Sequence, residues 1–208
     1  ADCQAKNIHI TAAGKSRFEA QRNSYTLPAP GRHHIYNALA CISCARLLKV
    51  PVDAVQRSLK KARPDHNRGS LLRSQGRWIM DDSYNANPLS FHRALEVLVG
   101  FTPAKRRIVV CGDMRELGHA SEKLHRALGK EMALRKIEMV LTVGEEARAV
   151  QQSFQEHAPA ALSWHCPTRG QLHRRLRNVI RTGDVILVKG SRSMRMEKTV
   201  DYIKNQPI

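Results

Sequence analysis

Apolar and polar positions along this chain change period twice. Asn7-Ile8-His9-Ile10-Thr11 alternates, Gly14-Lys15 supplies a turn, and Phe18 to Leu27 alternates loosely again, which predicts a β-hairpin. Pro28-Ala29-Pro30-Gly31 breaks the alternation. Ile35, Leu39, Ile42 and Leu47 then recur at helical spacing, predicting a helix from Ile35 to Leu48, and Pro51-Val52-Asp53 opens a second helix that buries Val55 and Leu59. A hairpin and two helices in about 65 residues bury too little apolar surface to stand alone. The leading part is therefore expected to be the tail end of a larger domain, or to pack against the rest. Arg63-Pro64-Asp65-His66-Asn67-Arg68-Gly69 reads as the linker.

From Ser70 onward strands and helices alternate. Strands are expected near 70 to 74, 77 to 82, 106 to 111, 138 to 143, 160 to 164 and 184 to 188, and helices near 88 to 99, 119 to 135, 145 to 156, 168 to 180 and 193 to 205. Ile108-Val109-Val110 and Val185-Ile186-Leu187-Val188 are apolar on both faces, the mark of strands covered on both sides by helices. The fold class is α/β, a Rossmann-like, doubly wound, mainly parallel sheet. It is preceded by the hairpin and two helices, with the boundary between residues 70 and 71. The length of 208 residues permits one large or two small domains.

The net charge of +17 raises the question of a polyanion. The basic residues are dispersed in short groups such as Lys60-Lys61, Lys105-Arg106-Arg107 and Arg174-Arg175, without interleaved aromatics, so platforms for stacking bases are not evident. No apolar run of about 18 residues exists, and no basic-then-apolar leader, so the chain is expected in the cytoplasm without a membrane span. The five cysteines have no repeated spacing, which argues against a disulfide framework. Cys41 and Cys44 have redox-motif spacing but sit inside a helical run, where buried packing is the expected role. The ten histidines are scattered, and His33-His34 and His66 lack a third partner at ligand spacing, so no metal site is assigned within this chain.

Three stretches carry candidate chemistry. Each leaves an apolar strand through polar residues into a helix: Asp81-Asp82-Ser83-Tyr84-Asn85-Ala86-Asn87-Pro88, Gly112-Asp113-Met114-Arg115-Glu116-Leu117-Gly118 and Lys189-Gly190-Ser191-Arg192-Ser193. Ligands of open α/β sheets bind outside the carboxyl ends of strands, so three such ends make one candidate cleft. Asp81 and Asp82 suit a ribose or a cation, and Tyr84, Asn85 and Asn87 suit polar edges; the competing reading is a turn that caps the next helix. Asp113 is a candidate ligand or cap. The Lys189 segment is read as an anion site at a helix N-terminus, against a capping role for Ser193 with Met194 and Met196 as packing. Gly14-Lys15-Ser16 is no phosphate loop, because His9 stands where its first glycine belongs.

With Pro30-Gly31-Arg32-His33-His34-Ile35-Tyr36-Asn37-Ala38-Leu39-Ala40 upstream, the order and spacing of these motifs resemble the Mur ligase family. The resemblance covers essentially the whole chain. It implies the branch that adds D-alanyl-D-alanine to UDP-N-acetylmuramoyl-tripeptide in peptidoglycan synthesis, using ATP and Mg2+. It further implies that residues 1 to 70 end the central ATP-binding domain and that 71 to 208 form the C-terminal domain. Position by position, it implies nucleotide binding at Asn37, Arg68, Asp82, Tyr84 and Asn85, and substrate binding at Asn87, Lys189, Ser191 and Arg192. His34 stands where the family has asparagine. The phosphate loop and the metal ligands belong to segments outside this chain, so alone it is expected to be inactive. A remnant that binds nucleotide or peptide without turnover is the alternative, and a polyanion binder is a third class.

Overall fold

A computed structural model describes residues 3 to 11, 14 to 62 and 67 to 207. The chain divides into two compact units, Ala1–Asp65 and His66–Ile208. Of the expected linker, Arg63 to His66 lie outside the described residues, while Asn67 to Gly69 lead by a turn into the second unit.

The first unit opens with a three-stranded antiparallel meander, β1 (Lys6–Ile10), β2 (Ser16–Ala20) and β3 (Asn23–Leu27), rather than the two-stranded hairpin expected. The run from Phe18 to Leu27 folds back on itself at Gln21 and Arg22, both at positive φ (49° and 64°). Two such residues make the tight primed turn of a hairpin, and neither is the Asn or Gly that ordinarily announces one. Helices α1 (Arg32–Leu47) and α2 (Val52–Lys61) follow, and Ile35, Ala38, Leu39, Ile42 and Leu59 pack on Phe18, Tyr25 and Leu27. Cys41 and Cys44, expected to be buried, are exposed free thiols, because the inward stripe of α1 runs through residues 35, 38, 39 and 42 and leaves 41 and 44 outside. Tyr36, Leu47 and Leu48 on α1 and its end are exposed as well.

The second unit is a six-stranded sheet in the order β4-β5-β9-β6-β7-β8. Strands β4 (Ser70–Ser74) and β5 (Arg77–Asp82) pair antiparallel through a turn at Gln75 and Gly76, both at positive φ. Strands β6 (Arg106–Gly112), β7 (Met139–Val143), β8 (Leu162–Cys166) and β9 (Asp184–Lys189) are parallel to β5. Alternate strand residues divide between two cores. Met80, Val109, Val140 and Leu187 face α3 (Pro88–Val99), α4 (Ser121–Leu134) and α5 (Arg148–His157), and Ile79, Ile108, Leu141 and Ile186 face α6 (Arg169–Val179) and α7 (Glu197–Asn205). The doubly wound α/β class is thus what the double-sided apolar runs required. Strand β8 begins two residues later than expected and α7 four residues later.

Helices α4 and α5 meet at Gly129, where an added Cβ would lie 2.2 Å from the Val150 carbonyl oxygen and 2.9 Å from the Phe154 nitrogen. An exposed helical glycine replaced by alanine gains up to about 1 kcal/mol. At this crossing the sign reverses: Gly129→Ala is expected to destabilise the unit by about 1–3 kcal/mol through overpacking against backbone, measured by denaturant unfolding.

His34 on α1 is held to a pKa of about 4 by burial and by the neighbouring His33, and its Nε2 has no hydrogen-bond partner among the described residues. Its folded pKa lies below its ordinary 6.5, so the unfolded chain binds more protons between those values. Stability of the first unit is full above pH 6.5 and falls as pH drops toward 4. In the intact protein, His34→Gln is expected to flatten the decline in melting temperature across that window.

Candidate active-site wall at three strand ends

Strands β5, β9 and β6 lie side by side and parallel, so their carboxyl ends open along one edge of the sheet. Helices α3 and α4 leave β5 and β6 toward one face, whereas α6 and α7 bracket β9 on the other. Such a reversal is a topological switch point, the place where open α/β sheets bind ligands. The registers Asp82 with Lys189 and Cys111 with Lys189 set the three mouths level. The motifs singled out in sequence therefore converge.

Lys189 is 1% exposed. Its Nζ donates to Asp82 Oδ2 at 2.5 Å and to the Asn85 carbonyl at 2.9 Å, and lies 5.5 Å from the centre of the Phe91 ring. Ser191 ties the same mouth to the other side: its N–H donates to the Asp113 carbonyl at 2.9 Å, and its Oγ accepts the Arg115 N–H at 2.8 Å. Above these ties stands Tyr84, exposed, with the Arg68 and Arg192 guanidinium carbons 3.9 and 5.6 Å from its ring centre. Asn85 is exposed and its Oδ1 accepts the Ala86 N–H at 2.8 Å. One patch thus collects Arg68, Asp82, Tyr84, Asn85, Lys189, Ser191 and Arg192. Asn37 belongs to the first unit, where it is exposed on α1.

Two expectations need correction. Lys189 to Ser193 do not stand at the N-terminus of an α-helix: Arg192 to Met194 form one 3-10 turn, Arg195 is left-handed at φ 46°, and α7 starts only at Glu197. Three residues align too few peptide dipoles to make an anion site, and Ser193 caps nothing. Asn87 carries the competing reading. Its Oδ1 accepts the Ser90 N–H at 2.8 Å while Ser90 Oγ accepts the Asn87 N–H at 3.0 Å, a capping box for α3. Asp81 is likewise structural, since it is buried and accepts from Ser83 Oγ at 2.6 Å, and burial pushes its carboxyl above the usual range.

The β6 mouth continues into that of β7 and carries, beside the candidate Asp113, groups the sequence reading missed. Asp113 is fully buried; its Oδ1 accepts the Ala147 N–H at 2.8 Å, and Oδ2 lies 2.9 Å from an Arg115 guanidinium nitrogen without a directed hydrogen bond. Asp113, His125 and Glu146 present ligand atoms within 4.8 Å of one another. His125 Nε2 accepts the Met114 N–H at 3.0 Å and Nδ1 faces the Ser121 carbonyl at 2.8 Å, so neither nitrogen keeps a lone pair for a metal. With Arg115 already opposing Asp113, this trio does not fit a resident cation. A cleft of about 550 Å³, lined by His119, Glu122, Glu146 and Arg148 among others, opens beside it. Glu145 and Glu146 follow Gly144 directly after β7, and the strand-end rule applied to the other motifs would have found them.

Residues 67–192 match the family described as Mur ligase, glutamate ligase domain. The UDP-N-acetylmuramoyl-tripeptide--D-alanyl-D-alanine ligase of Escherichia coli K12 is 34% identical over 206 residues, covering 96% of this chain and 44% of that enzyme. A crystal structure of MurF from Acinetobacter baumannii superposes with a TM-score of 0.88 at 27% identity, over 99% of this chain and 46% of its own. The MurF ligase of Thermotoga maritima, solved with ADP, shares the fold with a TM-score of 0.82 at 23% identity, over 99% of this chain and 46% of its own. The chain spans less than half the length of these relatives. Motif order, sheet topology and the family match agree, and the chain belongs to the Mur ligase family.

Proposed function

We propose that this protein is the C-terminal part of an ATP-dependent amide ligase that adds D-alanyl-D-alanine to UDP-N-acetylmuramoyl-tripeptide in cytoplasmic peptidoglycan synthesis. The first unit then ends the central ATP-binding domain, and the second, which takes in Ser70 of β4, forms the C-terminal domain. The absence of any helix long and apolar enough to cross a membrane among the described residues is compatible with a cytoplasmic enzyme.

The observation that carries the reading is the convergence of Arg68, Asp82, Tyr84 and Arg192 at one switch point. An acyl-transfer ligase works in two balanced steps. The substrate carboxylate attacks the terminal phosphorus of ATP, forming an acyl phosphate and releasing ADP; the dipeptide amine then attacks the acyl carbon, loses a proton, and the tetrahedral intermediate expels phosphate. The acyl phosphate is hydrolysable, so the wall's contribution is orientation of the amine and exclusion of water. Asp82 suits the ribose hydroxyls and Arg68, Tyr84 and Asn85 the remainder of the nucleotide. Arg192, exposed and only loosely paired with Glu197 at 3.7 Å, suits the anionic groups of the dipeptide and acyl phosphate. Mg2+ that accompanies ATP would be held by residues outside this chain.

Tyr84→Ala removes an exposed ring without opening the core. In the intact enzyme it is expected to raise KM for ATP about tenfold, the size of a lost stacking contact, and to leave KM for D-alanyl-D-alanine within about twofold. Steady-state amide synthesis with each substrate varied in turn measures both, and unchanged ATP dependence would remove Tyr84 from the nucleotide pocket.

A further inference from the structure

We infer that Lys189 is a positioning residue that sets the β5 mouth for the nucleotide through Asp82 and Asn85, and does not itself touch the nucleotide or the dipeptide. The inference rests on the ligase reading for its kinetic arm and on geometry alone for its structural arm.

An ammonium has three donors and no acceptor. Two of those of Lys189 are taken, by Asp82 Oδ2 and by the Asn85 carbonyl, and the group also lies over the Phe91 ring. The side chain is 2% exposed, whereas Asp82 is 22% exposed. The carboxylate thus faces outward and the lysine stands behind it. To reach a ligand Lys189 would have to give up a charge-assisted bond made inside the fold, which is among the costlier changes a folded protein makes.

Beyond the end of β5 the mouth is held by local bonds, Ser83 to Asp81, Ala86 to the Asn85 side chain and Asn87 to Ser90, and by ties that reach in from elsewhere in the chain. Ladder pairing with β9 ends at Asp82, and the segment from Ser83 to Asn87 runs without a partner strand. The backbone ties from outside the segment are at Tyr84, whose N–H donates to the Asn67 carbonyl at 2.9 Å, and at Asn85, whose carbonyl accepts from Lys189. Lys189 therefore fixes both the direction of the Asp82 carboxylate and the path of the chain that carries Tyr84. Ser191 performs the matching task toward β6, so the β9 mouth works as a clamp between its neighbours.

The test uses the intact enzyme with Lys189→Met, Asp82→Asn and the double variant. Amide hydrogen exchange over residues 83 to 87 is expected to rise in Lys189→Met while β5 and β9 stay protected. KM for ATP is expected to rise about tenfold or more, with KM for the dipeptide within about twofold, and the double variant to be no worse than the poorer single one, because both remove the same pair. Lys189→Gln, which keeps a donor toward Asn85, is expected to fall between wild type and Lys189→Met, and it serves if the methionine variant folds poorly. A rise confined to the dipeptide KM, effects that multiply in the double variant, or unchanged exchange over 83 to 87 would each overturn the assignment. Absence of ATP-dependent ligation in the wild type would instead overturn the functional reading, and the exchange arm still decides the role of Lys189.

Discussion

A buried ammonium has to find its counter-charge and acceptors within reach of one flexible stem, and at the end of β9 that requirement organises the surroundings. Lys189 closes on Asp82 and Asn85 only because β5 and β9 run parallel with those two strand ends in register. The same register brings Cys111 of β6 level with Lys189 on the other flank, where Ser191 reaches the Asp113 carbonyl and the Arg115 N–H. A one-residue slip of β9 would send Lys189 toward the opposite helical layer and dissolve both ties. The double-sided apolar core that enforces the register therefore supports the site directly.

The division of labour among the polar residues follows from exposure. Arg68, Tyr84, Asn85 and Arg192 are exposed, whereas Lys189, Ser191 and Asp113 are buried and bonded to neighbouring loops, and Asp81 is buried and bonded to Ser83 of its own loop. Groups that grip a ligand must be able to trade water for it, and groups that hold geometry must not. The wall thus has an outer layer fit for contact and an inner layer that keeps the contact residues in place.

The fold was largely legible because parallel, two-sided strands announce themselves as unbroken apolar runs, as in Val185 to Val188 and Ile108 to Val110. The turn at Gln21 and Arg22 was not, since its left-handed residues lack the usual glycine or asparagine. The candidate site was legible as a set of strand ends, yet the roles within it were not. A lysine after an apolar strand reads the same whether its ammonium points to solvent or to a carboxylate 107 residues away, and only tertiary packing chooses. Asn87 was similarly two-valued, and Ser90 at the third helical position resolved it. Cys41 and Cys44 were misplaced because α1 is apolar nearly all round, so composition could not say which side faced the core.

Glycine marks where the backbone itself comes close. An added Cβ at Gly144 would lie 2.3 Å from Asp113 Oδ1, and Gly144 has φ of 110°. The carboxylate can reach the Ala147 N–H only across that bare backbone, so Gly144 and Asp113 form one unit that joins the β7 mouth to that of β6. Together with the Ser191 ties and the Lys189 clamp, the connection runs without a break from the loop after β5 to the start of α5. The loop that carries Tyr84 and the start of α5 beside Glu146 therefore rest on one set of buried hydrogen bonds.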